Sequence, residues 1–179
     1  MRKDLILTAV GTDRPGIVDQ ISGLIFREGC NLEDSRMAIL GGSFALIVLV
    51  TGSEESISRL KDSLPDIEKK LELSIHLRFG RMEDTSPGEI AKAIPYRITA
   101  VAMDHPGIVH KITNILAKHN VNVATLETRI TDAPTTGTPV FSLVIEANVP
   151  TDVSVSKLRT ILESAANEEN LDLGFHAIS

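Results

Sequence analysis

The sequence predicts an α+β protein built from two copies of one βαββαβ unit, each an antiparallel sheet with both helices on one face. Three observations predict it. A long segment recurs: Leu5-Ile-Leu-Thr-Ala-Val-Gly-Thr-Asp-Arg-Pro-Gly-Ile-Val18 returns as Tyr96-Arg-Ile-Thr-Ala-Val-Ala-Met-Asp-His-Pro-Gly-Ile-Val109. The two stretches starting at Thr8 and Thr99 agree at ten of 24 positions, through Asn31 and Asn122. In both copies a helix-period stripe follows a β-rich run, and in both the last run alternates apolar with polar. A spacing of about ninety residues is a duplicated domain rather than a solenoid repeat. The expected division is 1–80 for the first copy, 81–95 for a linker and 96–179 for the second. The linker's polar, Pro/Gly-containing first half carries that boundary.

The elements follow in order. Leu5–Val10 and Tyr96–Ala102 are β-rich strands. Ile17, Val18, Ile21, Leu24 and Ile25 form one apolar helical stripe, repeated by Ile108, Val109, Ile112, Ile115 and Leu116. Gly29 and Asn120 stand where these helices should end. Strands at 32–40 and 43–51 are joined by Gly41-Gly42, a pair suited to a tight hairpin because glycine reaches positive φ without steric cost. The second copy replaces this turn with the longer Asp132–Pro139 loop. A second helix is expected to start at Ser53 or Thr151, both good N-cap types, and to bury Ile57, Leu60 and Leu64, or Val155, Leu158 and Leu162. The last strand alternates as Leu73, Ile75, Leu77, Phe79 and as Leu171, Leu173, Phe175, Ala177. In the third strand both faces are apolar: Phe44, Leu46 and Val48 should face the helices, yet Ala45, Ile47 and Leu49 are apolar too. That outer face is expected to pack on another copy or a partner, and a homodimer is expected.

Composition excludes several functions. A net charge of −6 lacks the basic footprint of a nucleic-acid surface, and an aromatic content of 3% offers little for base stacking. No direct nucleic-acid contact is expected. One cysteine, Cys30, allows no intrachain disulfide, which fits a reducing, cytoplasmic setting. No apolar run approaches a membrane span, and the N-terminus runs directly into Leu5-Ile6-Leu7, so no membrane segment or secretory leader is expected. No nucleophile elbow, P-loop or dinucleotide fingerprint is present, no histidine pair has metal-ligand spacing, and neither an enzyme nor a metal or cofactor is expected. Cys30 reads as a small buried hydrophobe, and Glu33, Asp34 and Arg36 as a solvated strand face.

The shared turns Asp13-Arg14-Pro15-Gly16 and Asp104-His105-Pro106-Gly107 carry the chemistry. Proline suits a first helical turn, and glycine allows a close approach to the backbone. Free N–H groups and the helix dipole favour a carboxylate there. The aspartate can cap the helix or hold an ammonium group. Asn31 and Asn122 follow the helix, and a helix–strand hairpin should return each asparagine to the neighbourhood of its turn. Backbone donors with an aspartate and an amide are what an amino-acid zwitterion requires; a capped helix start alone would serve structure only.

The Asp-x-Pro-Gly-Ile-Val turns and the later asparagines, inside two ferredoxin-like βαββαβ units, resemble the ACT domain. The Gly29-Cys-Asn-Leu-Glu-Asp-Ser-Arg-Met-Ala-Ile-Leu-Gly-Gly-Ser-Phe44 segment resembles the tandem ACT family of glycine cleavage system transcriptional repressors. The resemblance implies modules paired side by side, with a small amino acid, glycine or serine-like, bound at the seam. It implies ligand contacts at Asp13, Arg14, Pro15, Gly16, Ile17 and Asn31, and at Asp104, His105, Pro106, Gly107, Ile108 and Asn122. It also implies action through a partner regulatory protein, and it sets an interface role for Glu33, Asp34 and Arg36 beside the solvated one. An allosteric subunit of an amino-acid biosynthetic enzyme is the alternative, and a small hydrolase of the same fold the third. His105 replaces Arg14, Ala102 replaces Gly11, and Glu33-Asp34-Ser35-Arg36 becomes Ala124-Thr125-Leu126-Glu127, so the two sites should differ.

Overall fold

The structure, a computed structural model, describes residues 2–79, 93–103, 105–133 and 136–178. The chain divides into two compact units, Met1–Asp84 and Thr85–Ser179. The first unit runs β1 (Arg2–Thr12), α1 (Ile17–Arg27), β2 (Asn31–Leu40), β3 (Ser43–Ser53), α2 (Glu54–Leu71), β4 (Leu73–Phe79). The second repeats it as β5 (Ala93–Met103), α3 (Ile108–Lys118), β6 (Asn122–Asp132), β7 (Pro139–Pro150), α4 (Val155–Glu168), β8 (Asp172–Ala177). The sheet orders are β2-β3-β1-β4 and β6-β7-β5-β8, and every pairing is antiparallel. β1 and β2 are therefore parallel to each other, at the centre and edge of one sheet.

Alternation places Leu5, Leu7 and Ala9 of β1 opposite Val50, Val48 and Leu46 of β3 on the helix-covered face. All six are buried, together with Ile17, Ile21, Leu24 and Ile25 of α1 and Ile57, Leu60 and Leu64 of α2. The second core repeats the design with Ile98, Leu143, Ile145, Ile112, Leu116, Leu158 and Leu162. Each such side chain contributes about 1.5–3 kcal/mol on burial. Val18, expected in the stripe of α1, is 46% exposed, because its position lies at the margin of the arc that the sheet covers. Phe79 lies at the open end of β4 and is also exposed.

The terminators behave as their chemistry requires. Gly29 and Asn120 have φ of 74° and 54°, the left-handed conformation that stops a helix. Gly41 and Gly42 both have positive φ, as a two-residue hairpin turn demands. Ser53 caps α2, its hydroxyl accepting from the Ser56 N–H at 3.1 Å. Thr151 does not cap α4. Pro150 closes β7, Val153 N–H donates to its carbonyl in a further turn, and the helix begins only at Val155 after Ser154. β5 starts at Ala93, so residues 93–95 of the expected linker are strand; Pro95 is tolerated there because its carbonyl still accepts from Ile178 N–H.

Gly11 is opposite Leu73 in the β1–β4 ladder, and a Cβ there would lie 2.6 Å from Leu73 Cδ2 and 2.9 Å from the Glu72 carbonyl. In the second unit the ladder stops at Val101–Asp172, one residue short of Ala102, so that position has room for a methyl group. Gly11→Ala is expected to destabilise the first unit by about 1–3 kcal/mol. Urea unfolding should show this as a lowered midpoint for that unit alone.

Candidate functional site

Each turn leads into its helix through a left-handed glycine. Gly16 and Gly107 are the N-caps of α1 and α3, with φ of 91° and 103°. A Cβ on Gly107 would meet nothing within 4 Å, so backbone conformation rather than crowding requires glycine here. Neither helix has a side-chain cap. The expected capping role of Asp13 is not realised: its N–H donates to the Gly42 carbonyl at 2.8 Å, which ties the turn to the β2–β3 hairpin. Pro15 and Pro106 lie in the turn before the helix rather than in its first turn. The N–H groups that open α1 and α3 have no intrahelical acceptors and remain available for an anion. Ile17 and Ile108 are each 2% exposed, so only their backbones can serve a ligand. Asp104 lies outside the described residues.

The asparagines are not brought back to the turns. Asn31 pairs with Thr51, and Thr51 with Asp4, near the start of β1. The turn follows Thr12, which pairs with Ser43 at the other end of the same ladder. Eight strand residues at ~3.4 Å each separate the two ends by about 27 Å. The second unit has the same arrangement: Asn122 pairs with Asn148, whereas Met103 pairs with Val140. The reason is the helix, which runs back along the sheet and delivers the chain to the opposite end.

Around Asn31 a polar cluster has formed that sequence reading treated as solvated strand. A β-bulge between Leu32 and Asp34 frees Glu33 from the ladder. Its carboxylate accepts from Asn31 Nδ2 at 3.0 Å and from Thr51 Oγ1 at 3.0 Å, and pairs with Arg2. The Asn31 and Thr51 hydrogen bonds hold this carboxyl below the usual carboxylate range, with Arg2 adding to the effect. An open hollow of about 580 Å³ adjoins the cluster, lined by Arg2, Cys30, Asn31, Thr51 and Gly52 among others. Burial pushes the Cys30 thiol up, and it packs as a hydrophobe. The second unit keeps the bulge between Val123 and Thr125 but places Ala124 there, so Asn122 has no equivalent carboxylate.

The turn residues Arg14 and His105 reach the ends of the second helices. Arg14 donates to the Lys70 carbonyl at 3.0 Å, a cation at a helix C-terminus. His105 Nε2 lies 3.7 Å from Glu169 Oε2. Two neighbours were not anticipated. Gln20 sits one helical turn beyond Gly16, and its buried Oε1 has no hydrogen-bond partner among the described residues. At the corresponding place in the second unit, Lys111 donates at 2.7 Å to both Glu168 and Glu169. The first turn thus has a buried, unpartnered acceptor near it, while the second lies against an ion-pair cluster. Only the aligned pair Gln20/Lys111 in the repeat could have signalled this.

The Lys111 hydrogen bond holds the Glu169 carboxyl below its usual range, and the two glutamates raise Lys111. The contribution of a lowered carboxyl is present above its unfolded value and lost as pH falls through the folded one; that of a raised lysine is lost only in strong base. Lys111→Met is therefore expected to lower the melting temperature at pH 7 and to change it little at pH 3. Thermal scans at the two pH values check this.

Among the described residues no three His, Cys, Asp or Glu side chains cluster as a metal site, and no helix is long and apolar enough to cross a membrane. Residues 3–78 and 96–163 each match a family model described as the ACT domain. The chain is 28% identical over 166 residues to the glycine cleavage system transcriptional repressor of Escherichia coli strain K12, covering 93% of this chain and 85% of that one. A crystal structure of an unknown protein from Galdieria sulphuraria superposes with a TM-score of 0.83 at 28% identity, covering all of both chains. A second, assigned as a glycine cleavage system transcriptional repressor, gives 0.73 at 25% identity over 100% of this chain and 99% of that one. With two matched modules, each folded as βαββαβ, the chain belongs to the ACT-domain family as a tandem ACT protein similar to the glycine cleavage system transcriptional repressor.

Proposed function

We propose that this protein is a non-catalytic regulator that senses a small amino acid at the seam between two paired ACT modules and signals through a partner protein. One observation carries the seam: the turn and the asparagine sit at opposite ends of a module, and β2 is an exposed edge along its whole length. Antiparallel pairing of that edge with the edge of another module sets Asn31 opposite the far end of the neighbouring strand. That end adjoins the hairpin whose Gly42 carbonyl holds the Asp13 turn. Each ligand pocket then takes backbone N–H groups from one module and an asparagine from the other. The helix start receives the carboxylate, and Asp13 with the Asn31 amide receives the ammonium. Gln20 Oε1 offers the first site a further acceptor, so the first module is the stronger candidate.

The similarity to a glycine cleavage repressor makes glycine the first ligand to try, with serine next. A net charge of −6 supports action through another protein rather than on nucleic acid. The single, buried, free Cys30 fits a cytoplasmic setting.

Isothermal titration with glycine, serine and valine tests the reading. Heat is expected with glycine or serine. Asp13→Ala and Asn31→Ala should each weaken binding about 10-fold or more, as loss of a hydrogen bond to a charged group does. No heat with any amino acid, or full affinity in the double variant, would sink the proposal. Affinity capture then tells whether the partner is a transcription regulator or a biosynthetic enzyme.

A further inference from the structure

We infer that the outer face of the first module's sheet, the side away from the helices, is a homodimer interface that closes on the same face of a second copy. Strand pairing fixes which residues share it. Ile6, Thr8 and Val10 of β1 lie opposite Leu49, Ile47 and Ala45 of β3, and Ala38 of β2 lies opposite Ala45. Val10 and Ile47 are 44% and 47% exposed. A strand face meant for water carries polar residues; the β1–β3 centre of this one carries only Thr8, while the flanking strands add Asp34, Arg36, Ser74, His76 and Arg78.

The second module is an internal control: it keeps Thr8 and Val10 as Thr99 and Val101 and has Val144 for Ile47, but it differs in polarity at four equivalent positions. Arg97 stands for Ile6, Glu146 for Leu49, Ser142 for Ala45 and Arg129 for Ala38. Arg97 and Glu146 face one another across the strands and form an ion pair at 2.8 Å. The same backbone therefore carries an ion pair at the centre of the face in the second module and the apolar Ile6–Leu49 pair in the first. Fold requirements cannot explain the difference, since both sheets are equally complete. Burying the charged face of the second module against the apolar one would desolvate that ion pair, which argues against it as the occupant.

Charge points to a second copy. The apolar patch is framed by Arg2, Arg36 and Arg78, by Asp4, Glu33 and Asp34, and by the imidazole of His76 opposite Thr8: three cations and three anions with histidine counted as neutral. A frame of balanced, mixed sign suits its own two-fold image, whereas a strongly acidic or basic partner would meet repulsion on half of it. Area agrees. A face four strands wide and six residues long measures about 19 by 20 Å. Two such faces closing at ~10 Å remove on the order of 1,000 Å² in total, the lower edge of a stable interface. The dimer should accordingly dissociate in the micromolar range and be sensitive to single charges.

Sedimentation equilibrium on the full chain, up to about 200 μM, is the test, because mass action makes such a dimer concentration-dependent. Wild-type protein is expected to dimerise. Ile47→Asp and Val10→Asp should each weaken the dimer at least 100-fold while circular dichroism and the melting transition stay native. Val144→Asp, at the equivalent place in the second module, should leave the dimer intact. A wild-type monomer across the range would overturn the inference, since the face would then be covered within the chain or by another protein. A dimer indifferent to both first-module variants would assign association to the strand edge instead. Equal sensitivity to Val144→Asp would refute the restriction to the first module.

Discussion

A parallel pair of strands joined by one helix cannot keep the two ends of that helix on the same side of the sheet. β1 and β2 run in the same direction, so α1 must travel back along the full sheet between them. Everything about the candidate site depends on this crossover. It leaves Gly16 and the free N–H groups at one end and Asn31 with its Glu33–Thr51–Arg2 cluster at the other. No change of side-chain rotamer spans that distance. A single module therefore keeps the turn and the asparagine apart, and under the proposed reading a ligand that uses both lies where a second module supplies the missing group.

Duplication fixed the backbone and left the surfaces to diverge. Gly16 and Gly107 hold nearly the same left-handed conformation, and the bulge before Asp34 recurs before Thr125. Those features are set by main-chain geometry, which a few glycines and the strand registers determine. The side chains mounted on them have separated. Glu33 becomes Ala124, Gln20 becomes Lys111, and the Ile6–Leu49 pair becomes the Arg97–Glu146 ion pair. The first module thus has an unpartnered buried acceptor, an internally paired acid and an apolar strand pair where the second has two ion-pair clusters and an alanine.

The same division explains what was legible in the sequence. The strands, helix stripes and glycine terminators are local, repeat-supported signals, and burial of Leu5, Ile21 and Leu60 follows from periodicity alone. Val18 was not legible, because the width of the covered arc depends on where the sheet edge falls. Thr151 was misleading because a good N-cap residue does not say whether a proline-terminated strand will insert another turn first. The position of Asn31 was misjudged because proximity was read from chain connectivity, whereas strand direction sets it. The bonding of Glu33 to Asn31 and Thr51 was not legible, since a single-residue bulge leaves no compositional mark when its residue is not glycine.

A regulator must convert binding into a difference between two arrangements, and a ligand changes an equilibrium only by its unequal affinity for the two states. A pocket contained within one rigid module would bind equally well however modules associate, and would report nothing. A pocket assembled from the turn of one module and the asparagine end of another exists only when the edges are paired. In the proposed reading, a ligand bound there would stabilise that pairing. Occupancy also changes which surfaces remain for a third protein, because the paired edge of β2 is no longer available to add a strand. The outer face of the first sheet is perpendicular to that edge and is not consumed by it. Edge pairing and face pairing thus compete for no surface, and a chain with both can hold them at the same time without any rearrangement inside its modules.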